Sequence, residues 1–282
     1  MSDRSINAPK LTTQPTVRLG DLVTMPQLGL GVWQIPASDV AAVVTEAVTA
    51  GYKAVDTAAA YENEAGVGDA LVDHPDTFVT TKLWNSDQGF DETLRAFDVS
   101  AGKLRRNVID LYLIHWPAPH RDQYVESWRA LTRLKQEGRV RAIGVSNFTP
   151  THIQRIIDEV GETPAINQIE LHPKFQRHDA RAFHDSHGVV TQSWSPLGQG
   201  SLLSDPVLTQ IALRHGKTVA QIIIAWHLAA GVVVIPKSLR PERLRENIGV
   251  FDIHLDDQDI AQISALDHVD GRIGPDPDTA TF

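Results

Sequence analysis

Cysteine is absent from this chain of 282 residues, and no run of apolar residues approaches the length of a membrane-spanning helix. Without cysteine the protein can form neither a disulfide framework nor a thiolate nucleophile, and such a composition fits a reducing cytosol. A spanning helix needs about 18 consecutive apolar residues, and a secretory leader needs a shorter apolar run near its start. The sequence shows neither, so we expect a soluble, cytoplasmic protein.

Positive charge is also scarce. Lysine and arginine number 26 against 35 aspartates and glutamates, which gives a formal net charge of −9. An acidic chain is repelled by nucleic-acid phosphates and by anionic lipid headgroups, although it can still contain a local basic pocket. We therefore expect no nucleic-acid or membrane partner, and we predict a monomer that binds a small molecule.

The glycine-rich phosphate motif of doubly wound nucleotide-binding folds is missing as well. No G-x-G-x-x-G follows a strand: Gly29-Leu30-Gly31 lacks the third glycine, and Gly66-Val67-Gly68 lies in a helical pattern. This absence argues against a doubly wound sheet. No linker rich in proline, glycine and serine interrupts the chain, so residues 1–282 are predicted to form a single domain.

Strand-like runs alternate with helix-patterned stretches along most of the chain. The predicted strands are Gln27–Leu30, Lys53–Val55, Thr77–Thr81, Ile109–Ile114, Val140–Val145, Ala165–Ile169, Val189–Trp194 and Val232–Ile235. Polar starts and glycine stops mark helices such as Asp39–Ala50, Glu92–Leu104, Tyr124–Glu137, Thr151–Val160 and, after the eighth strand, Pro241–Val250. Eight strands alternating with helices predict the α/β class and a (β/α)8 TIM barrel.

Further segments flank this repeat. Thr16–Leu19 and Leu22–Met25 surround a short polar turn and predict an N-terminal β-hairpin. An additional helix is predicted at Asp257–Leu266, followed by a polar tail rich in Gly, Pro and Asp. We expect residues 1–14 to be a flexible extension and the tail (residues 270–282) to lie on the substrate side of the barrel.

Polar residues mark the ends of three successive predicted strands. Asp56, Lys82 and His115 follow the strands at intervals of 26 and 33 residues, each about one strand-plus-helix unit. Because the carboxyl ends of barrel strands meet on one face, these side chains and the nearby Tyr61 can surround one substrate atom. Taken singly, Asp56 and Lys82 would be interpreted as a structural ion pair, Tyr61 as an interfacial aromatic residue and His115 as a hydrogen-bonded structural histidine. Together they predict a proton-transfer site.

Five motifs occur in the order of a known enzyme family. They are GYKAVDTAAAYENEAGVG at Gly51–Gly68, TTKLW at Thr80–Trp84, DLYLIHWP at Asp110–Pro117, GVSNF at Gly144–Phe148 and IPKSLRPERLRENIGVF at Ile235–Phe251. With MPQLGLGVWQ at Met25–Gln34, the chain resembles the aldo-keto reductase superfamily along nearly its whole length, in particular the bacterial branch that includes 2,5-diketo-D-gluconate reductases. The resemblance implies a barrel enzyme that uses NADPH to reduce aldehyde or ketone carbonyls, such as those of small dicarbonyls and keto-sugars.

Carbonyl reduction gives each of the four residues a role that matches the family's tetrad. A carbonyl that accepts a hydride becomes an alkoxide and needs a proton, for which Tyr61 is the candidate general acid. Free tyrosine has a pKa of about 10, and we expect the Lys82 ammonium to lower it. Asp56 is expected to hold Lys82 in place, and His115 to donate a hydrogen bond that orients and polarises the carbonyl.

The resemblance also places aromatic and polar residues around substrate and nicotinamide. By resemblance Trp33, Trp84 and Trp116 wall the substrate site, whereas Trp128 and Trp226 fall in helical patterns and are interpreted as packing residues. Trp194 stands where the family stacks an aromatic, often tyrosine, on the nicotinamide, so tryptophan should keep the stacking surface and change its polar edge. The family binds the nicotinamide carboxamide through residues that here are Ser146, Asn147 and Gln168.

The phosphates of NADPH need hydrogen-bond donors and positive charge. The loops after strands seven and eight are the usual phosphate site of this barrel. The candidates there are Ser195, Leu197, Gln199, Gly200, Ile235, Lys237, Ser238, Arg240, Arg243, Glu246 and Asn247. We predict that the basic members clamp the adenosine 2′-phosphate, with Glu246 and Asn247 near the adenine, while a solvated basic face remains the alternative.

A histidine-rich stretch suggests a metal site, but its spacing does not support one. His184 and His187 share a helix face with no H-E-x-x-H motif beside them, and we expect a solvated helix surface and no metal. Two further function classes remain open beside the reductase: a non-catalytic sensor that kept the barrel and its nucleotide, and a metal-dependent hydrolase on the same fold. The intact four polar residues argue against the first, and the lack of strand-end metal ligands argues against the second.

Overall fold

The strands form a closed parallel barrel preceded by a hairpin. The structure is a computed structural model that describes residues 14–20 and 23–282. Antiparallel strands β1 (Thr16–Leu19) and β2 (Val23–Pro26) make up the hairpin. The parallel strands that follow are β3 (Leu30–Gly31), β4 (Ala54–Asp56), β5 (Phe78–Leu83), β6 (Ile109–Ile114), β7 (Val140–Ser146), β8 (Ile166–Glu170), β9 (Val190–Trp194) and β10 (Val233–Val234), each paired with its sequence neighbour.

Backbone contacts close the barrel between its first and last strands. Leu28 bridges Val234 in parallel fashion, and the Gly29 amide donates to the Val234 carbonyl at 2.9 Å. Gly31 allows the same close approach, since a Cβ there would stand 2.7 Å from the Ile235 carbonyl oxygen. The prediction of a (β/α)8 TIM barrel with an N-terminal hairpin is confirmed.

Helices cover the outside of the barrel. They are α1 (Ala37–Ala50), α2 (Glu64–Ala70), α3 (Phe90–Lys103), α4 (Tyr124–Gln136), α5 (Pro150–Val160), α6 (His178–His187), α7 (Pro206–His215), α8 (Val219–Ala229), α9 (Pro241–Ile248) and α10 (Asp257–Ser264). The helix predicted after the eighth unit is present as α10. None of the helices in the described ranges is both long and apolar enough to cross a membrane.

Alternation along the buried strands separates two layers of packing. Leu111 and Leu113 of β6 join an inner cluster with Met25 of the hairpin, whereas Tyr112 and Ile114 face the helices. Strands buried on both faces are nearly continuous apolar runs, which is why IDLYLI was recognisable as one. The two helical tryptophans, Trp128 and Trp226, are buried as packing residues, as predicted.

Two predictions concern the chain ahead of the barrel. The expected flexible extension of residues 1–14 lies outside the described residues apart from Gln14, whose side-chain amide donates to the Leu28 carbonyl. The predicted hairpin strand Leu22–Met25 is found as β2, although Leu22 itself is outside the described residues. The hairpin packs apolar side chains, among them Leu19 and Met25, into the inner cluster.

His184 corrects the expectation of a solvated histidine surface on α6. Its side chain is fully buried: Nδ1 lies 2.9 Å from Thr191 Oγ1, and Asn167 Nδ2 lies 3.0 Å from Nε2. Burial lowers the pKa of His184 to about 4, so the ring is neutral and fully hydrogen-bonded in the folded protein. His187 is exposed and stacks on Phe183, so only that part of the expectation is correct.

The buried His184 predicts an acid-sensitive stability. The unfolded chain takes up a proton near pH 6.5, whereas folded His184 does so only near pH 4. The contribution of His184 to the free energy of unfolding is therefore fully present above pH 6.5. It is lost as the pH falls toward 4, and the total loss is about 3 kcal/mol. Urea unfolding at a series of pH values should show that acid lowers the free energy of unfolding less for His184→Gln than for wild type. His187→Gln should match wild type, and parallel profiles for all three proteins would contradict the prediction.

Candidate active site

Consecutive barrel strands bring the four predicted polar residues to one face. Asp56 ends β4, Lys82 is the penultimate residue of β5, and His115 directly follows β6. Tyr61 ends a single 3₁₀ turn, Ala59–Tyr61, just beyond β4. Because the strands are parallel and in register, the four side chains converge at the carboxyl end of the barrel.

Lys82 is the buried centre of this group. Its Nζ lies 2.5 Å from Asp56 Oδ1 and donates to the Thr57 carbonyl at 2.9 Å and to the Tyr61 hydroxyl at 3.3 Å. Burial alone would lower the pKa of Lys82, but the charge of Asp56 and the contact with Tyr61 outweigh it and raise that pKa. The amine is therefore charged, and all three of its protons are directed at oxygen atoms.

Tyr61 shows a different balance from the one expected. Burial raises the pKa of Tyr61 above its ordinary value, and the Lys82 ammonium opposes this rise without overcoming it. Lys82 acts on the pKa of Tyr61 in the expected direction, but burial of the ring has the larger effect, so the pKa does not fall below that of free tyrosine. Tyr61 is consequently protonated at neutral pH and can act as a proton donor.

His115 completes the group as a neutral ring. Its centroid lies 5.6 Å from that of Tyr61 and 5.2 Å from that of Trp84, both in edge-to-face geometry. Burial, assisted by the charge of Lys82, holds the pKa of His115 well below its ordinary value. Its Nδ1 is buried and finds no hydrogen-bond partner in the described ranges of the chain. The imidazole is therefore uncharged at physiological pH and carries a single N–H.

A cavity of about 1070 Å³ opens in front of these residues. The predicted site residues that line it are Trp33, Asp56, Tyr61, Trp84, His115, Trp116, Ser146, Asn147, Gln168, Trp194, Ser195, Gln199, Ile235 and Lys237. Trp116 is 8% exposed and Trp33 is 42% exposed, so the aromatic walls include both buried and solvent-facing rings. Lys82 is fully buried and does not line the cavity itself, but it contacts Asp56 and Tyr61, which do.

The residues predicted to meet the nicotinamide form a hydrogen-bonded network of their own. Asn147 Nδ2 donates to the His115 carbonyl at 2.9 Å, and Trp194 Nε1 donates to Asn147 Oδ1 at 2.8 Å. Gln168 Nε2 donates to Asp56 Oδ2 at 2.7 Å and to Gln192 Oε1 at 2.9 Å. The amide donors of Asn147 and Gln168 are thus engaged within the protein, and the indole of Trp194 is held by its polar edge.

The predicted phosphate residues divide into two groups. Ser195, Gln199, Ile235 and Lys237 line the cavity, whereas Leu197 packs against a core cluster and Gly200 is exposed beyond the cavity wall. The residues of the α9 region, which are Ser238, Arg240, Arg243, Glu246 and Asn247, do not line the cavity either.

Positive charge nevertheless collects beside the cavity. Lys237, Arg240 and Arg243 are exposed, and within residues 14–20 and 23–282 none of their side chains takes part in an ion pair. Arg245 on the same helix is instead paired with Glu46. Ser238 and Asn247 are buried, and the Ser238 hydroxyl accepts from the Arg240 amide at 3.1 Å. The cluster is therefore able to bind an anion without first breaking a salt bridge.

The sequence did not identify two residues of this region. Phe282 stacks on Trp84 at a centroid distance of 5.8 Å and meets Trp116 edge-on at 5.0 Å. Glu170 is a buried carboxylate at the end of β8 that contacts the tail (residues 270–282). Glu170 obeys the same strand-end rule as Asp56 and could have been found by it, whereas no local signal places Phe282.

The described residues contain no group of three or more histidine, aspartate or glutamate side chains arranged to hold a metal ion. The titratable groups gathered at this end of the barrel are the charged Lys82, the protonated Tyr61 and the neutral His115.

Comparisons with known proteins agree with this architecture. The sequence model of the Aldo/keto reductase family matches residues 25–268. An aldo-keto reductase of Mycolicibacterium smegmatis is 51% identical over 272 residues, which cover 95% of this chain and 98% of that protein. Methylglyoxal reductase DkgA of Escherichia coli is 48% identical over 271 residues, covering 94% of this chain and 98% of DkgA.

A solved structure extends the likeness to three dimensions. A mutant of Gox0644 in complex with NADPH has 54% sequence identity and superposes with a TM-score of 0.95, covering 96% of this chain and 100% of that one. Together with the family match, this similarity establishes that the chain belongs to the Aldo/keto reductase family. It is an oxidoreductase, as the resemblance implied.

Proposed function

We propose that this protein reduces aldehyde and ketone carbonyls with NADPH, using Tyr61 as the general acid. The observation that carries the proposal is the contact between a charged, buried Lys82 and the hydroxyl of Tyr61, beside a neutral His115 at the cavity wall. Such a group can supply a proton without a metal ligand set. The NADPH complex of the Gox0644 mutant supports the choice of cofactor.

The cavity and its surroundings fit NADPH. The half-buried indole of Trp194 offers a face for the nicotinamide, and Ser195, Gln199 and Lys237 continue the same wall. Beyond Lys237, Arg243, which has no ion pair with any residue that the structure describes, supplies charge for a phosphate. When bound, NADPH supplies the hydride.

Proton delivery is the task of this chain's own residues. Tyr61 gives its hydroxyl proton to the oxygen of the reduced carbonyl and is left as a phenolate. The Lys82 ammonium, 3.3 Å from that oxygen, stabilises the phenolate, and Asp56 holds the ammonium in position at 2.5 Å. Because burial raises the pKa of Tyr61, the enzyme keeps its proton donor loaded throughout the neutral pH range.

His115 orients the substrate. A neutral imidazole carries one proton, and Nδ1 has no acceptor in the described part of the chain. We therefore place the proton on Nε2, from which it donates a hydrogen bond to the carbonyl oxygen next to Tyr61. A neutral ring polarises the carbonyl without competing with Tyr61 as the acid.

Small dicarbonyls are the substrate class that we propose first. DkgA of Escherichia coli, which is 48% identical, is named a methylglyoxal reductase. The Phe282 ring packs on Trp84 and on Trp116 at centroid distances of 5.8 and 5.0 Å, and these three rings line the cavity together with His115. Other aldehydes and keto-sugars are further candidates.

Mixing the protein with NADPH and methylglyoxal tests the proposal. We expect loss of the reduced-nicotinamide absorbance only when protein, NADPH and carbonyl are all present, and no effect of a chelator. Binding of NADPH without turnover on any carbonyl of a panel would instead indicate a sensor, and absence of both binding and turnover would reject the reductase. Ranking the panel by kcat/KM would then define the substrate.

Trp194 should report cofactor binding. An indole that stacks on nicotinamide loses solvent contact and lies close to an acceptor for its excitation energy, so NADPH should quench its fluorescence. In a titration, Trp194→Tyr should lose most of the quenching while keeping the aromatic face. An undiminished signal in that variant would place the responding tryptophan elsewhere.

We further propose that residues 1–282 act as one catalytic unit and as a cytoplasmic monomer. All four proton-transfer residues come from one barrel, so a second copy is not needed to complete the site. Sedimentation of the active protein would reveal an obligate dimer if one exists.

A further inference from the structure

Glu170 is a buried carboxylate that the proton-transfer chemistry does not use. It ends β8 and is 3% exposed. One oxygen accepts from the Ile273 amide at 2.6 Å and lies 3.1 Å from His172 Nε2, and the other accepts from the Gly274 amide at 2.8 Å. Burial would raise the pKa of Glu170, but these hydrogen bonds outweigh it and lower that pKa, so the group is a carboxylate.

The tail (residues 270–282) starts against the loop that follows Glu170. Gln176 donates its backbone amide to Asp267 Oδ1 at 2.8 Å, and His268 donates to the Lys174 carbonyl at 3.2 Å. Gly271 is pressed so closely that a Cβ would stand 1.7 Å from the Lys174 carbonyl oxygen. These contacts direct the chain to Glu170 and from there across the mouth of the barrel.

Beyond Glu170 the tail covers the candidate active site. A Cβ on Gly274 would lie 2.5 Å from Trp194 Cη2, so the backbone rests directly on the indole proposed to stack on the nicotinamide. At the far end Phe282 packs on Trp84, and its carbonyl accepts from Asn85 Nδ2 at 3.1 Å. Gly274, Pro275 and Phe282 all line the cavity.

The anchors along the tail differ in strength. Asp278 pairs with His152 at 3.5 Å, but its side chain is 61% exposed, and exposed pairs contribute little. Asn85 contributes a single hydrogen bond, to the backbone oxygen of Phe282. Glu170 alone offers a buried charge to two consecutive backbone amides, and charge-assisted bonds are about twice as strong as neutral ones. Glu170 therefore holds the part of the tail that lies over Trp194, whereas the Phe282 ring at the far end is held separately by Trp84 and Trp116.

We propose that Glu170 is a positioning residue for the reaction, which fastens the tail over Trp194 and thereby sets the shape of the carbonyl pocket. It touches neither the proposed substrate nor the proton donor. The kinetic part of this inference rests on the proposed function, whereas the fastening itself does not.

Trypsin cleavage after Arg272 measures the fastening without any activity. Cleavage requires Ile273 and Gly274 to leave Glu170, so that the bond between residues 272 and 273 becomes accessible. The released peptide, residues 273–282, can be followed by mass spectrometry. An amide at position 170 presents an NH₂ group in place of one of the two carboxylate oxygens that now accept from Ile273 and Gly274, and it carries no charge. Glu170→Gln should therefore speed the cleavage about tenfold or more, because a charge-assisted bond is lost. Glu162→Gln, at a partly exposed glutamate paired with Lys135, is the matched control and should cleave at the wild-type rate.

Gly274→Ala provides a second route to the same result. It keeps Glu170 but places a methyl group 2.5 Å from Trp194 Cη2 and 2.9 Å from Glu170 Oε2, so the contact of the tail with these two side chains has to loosen. Because Gly274 lies outside the barrel core, a folding defect caused by changing Glu170 would not occur in this variant. Faster cleavage in both variants, with circular dichroism unchanged, supports the proposal. Wild-type cleavage rates in both overturn it.

Kinetics distinguish positioning from a general structural role. With methylglyoxal we expect each variant to raise KM about tenfold while kcat changes less than about twofold. Since both act through the same segment, the double variant should show no larger change in KM than either single one, whereas additive changes would overturn the proposal. If wild type turns over no carbonyl at all, the proposed function fails, and the cleavage experiment alone decides on the fastening.

Discussion

The Tyr61→Phe variant is expected to bind NADPH as tightly as wild type and to lose about 10²- to 10⁴-fold in kcat, the usual range for a general acid. The hydroxyl acts on the oxygen of the reduced carbonyl, and its removal leaves the cavity otherwise unchanged. Lys82 then keeps Asp56 and the Thr57 carbonyl but has no phenolate to stabilise. Fluorescence titration gives the Kd for NADPH, and steady-state turnover of methylglyoxal gives kcat.

Tyr112→Phe is the matched control. Tyr112 lies on β6 but faces α3, and its buried hydroxyl has no hydrogen-bond partner among the described residues. Removing an unpartnered buried hydroxyl costs little stability, so this variant should retain wild-type kinetics. A Tyr61→Phe enzyme with near-wild-type kcat would show that another group supplies the proton.

The position of the candidate site could be predicted from the sequence because it depends on strand ends. Asp56, Lys82 and His115 recur at the spacing of one barrel unit, and parallel strands bring such positions together whatever the rest of the chain does. The pKa direction of Tyr61 could not be predicted in the same way. It depends on how dry the hydroxyl becomes, and that is decided by rings from other units, including His115.

The fold could be predicted from the sequence as well, but the boundaries of several strands could not. The apolar runs of β5 and β6 are unmistakable, whereas β3 and β10 contain only two residues each and are held by the backbone contacts that close the barrel. Closure brings Gly29 next to Val234, two positions far apart in the chain, and sequence periodicity carries no record of that pairing.

Buried polar side chains were the hardest to predict. His184 and His187 share a helical face, yet His184 is buried because Asn167 of β8 and Thr191 of β9 bond both of its ring nitrogens. The strand-end position of Glu170 can be recognised in the sequence, but its partners, the amides of Ile273 and Gly274, are distant in the chain and cannot. A polar residue looks solvated in a sequence whenever its partners belong to other elements.

The basic cluster after β10 could be either a phosphate site or a solvated surface, and composition does not distinguish the two. Surface cations usually form a solvated face, and most lysines and arginines of such an acidic chain find carboxylates. The structure distinguishes the two arginines of α9: Arg245 is paired with Glu46, whereas Arg243 has no ion pair within the described residues. Arg243 is therefore free to bind a phosphate group, and Arg245 on the same helix provides its control.

Cofactor choice should follow from that difference. The 2′-phosphate of NADPH is a dianion that Lys237 and Arg243 can bind, whereas NADH offers only a hydroxyl there and leaves both cations hydrated. We expect wild type to prefer NADPH by about tens to thousands of fold, the range for one or two charge-assisted hydrogen bonds between partly hydrated groups.

Arg243→Ala should weaken NADPH binding much more than NADH binding, whereas Arg245→Ala should leave the ratio of the two Kd values unchanged. Both ratios are measured by titration at low salt, because added ions screen the phosphate contact and should reduce the preference of wild type. If Arg245→Ala also lost the preference for NADPH over NADH, the preference would depend on α9 as a whole and not on the Arg243 side chain. Equal Kd values for NADPH and NADH in wild type at low salt would mean that Lys237 and Arg243 form a solvated face and that the phosphate contacts lie elsewhere.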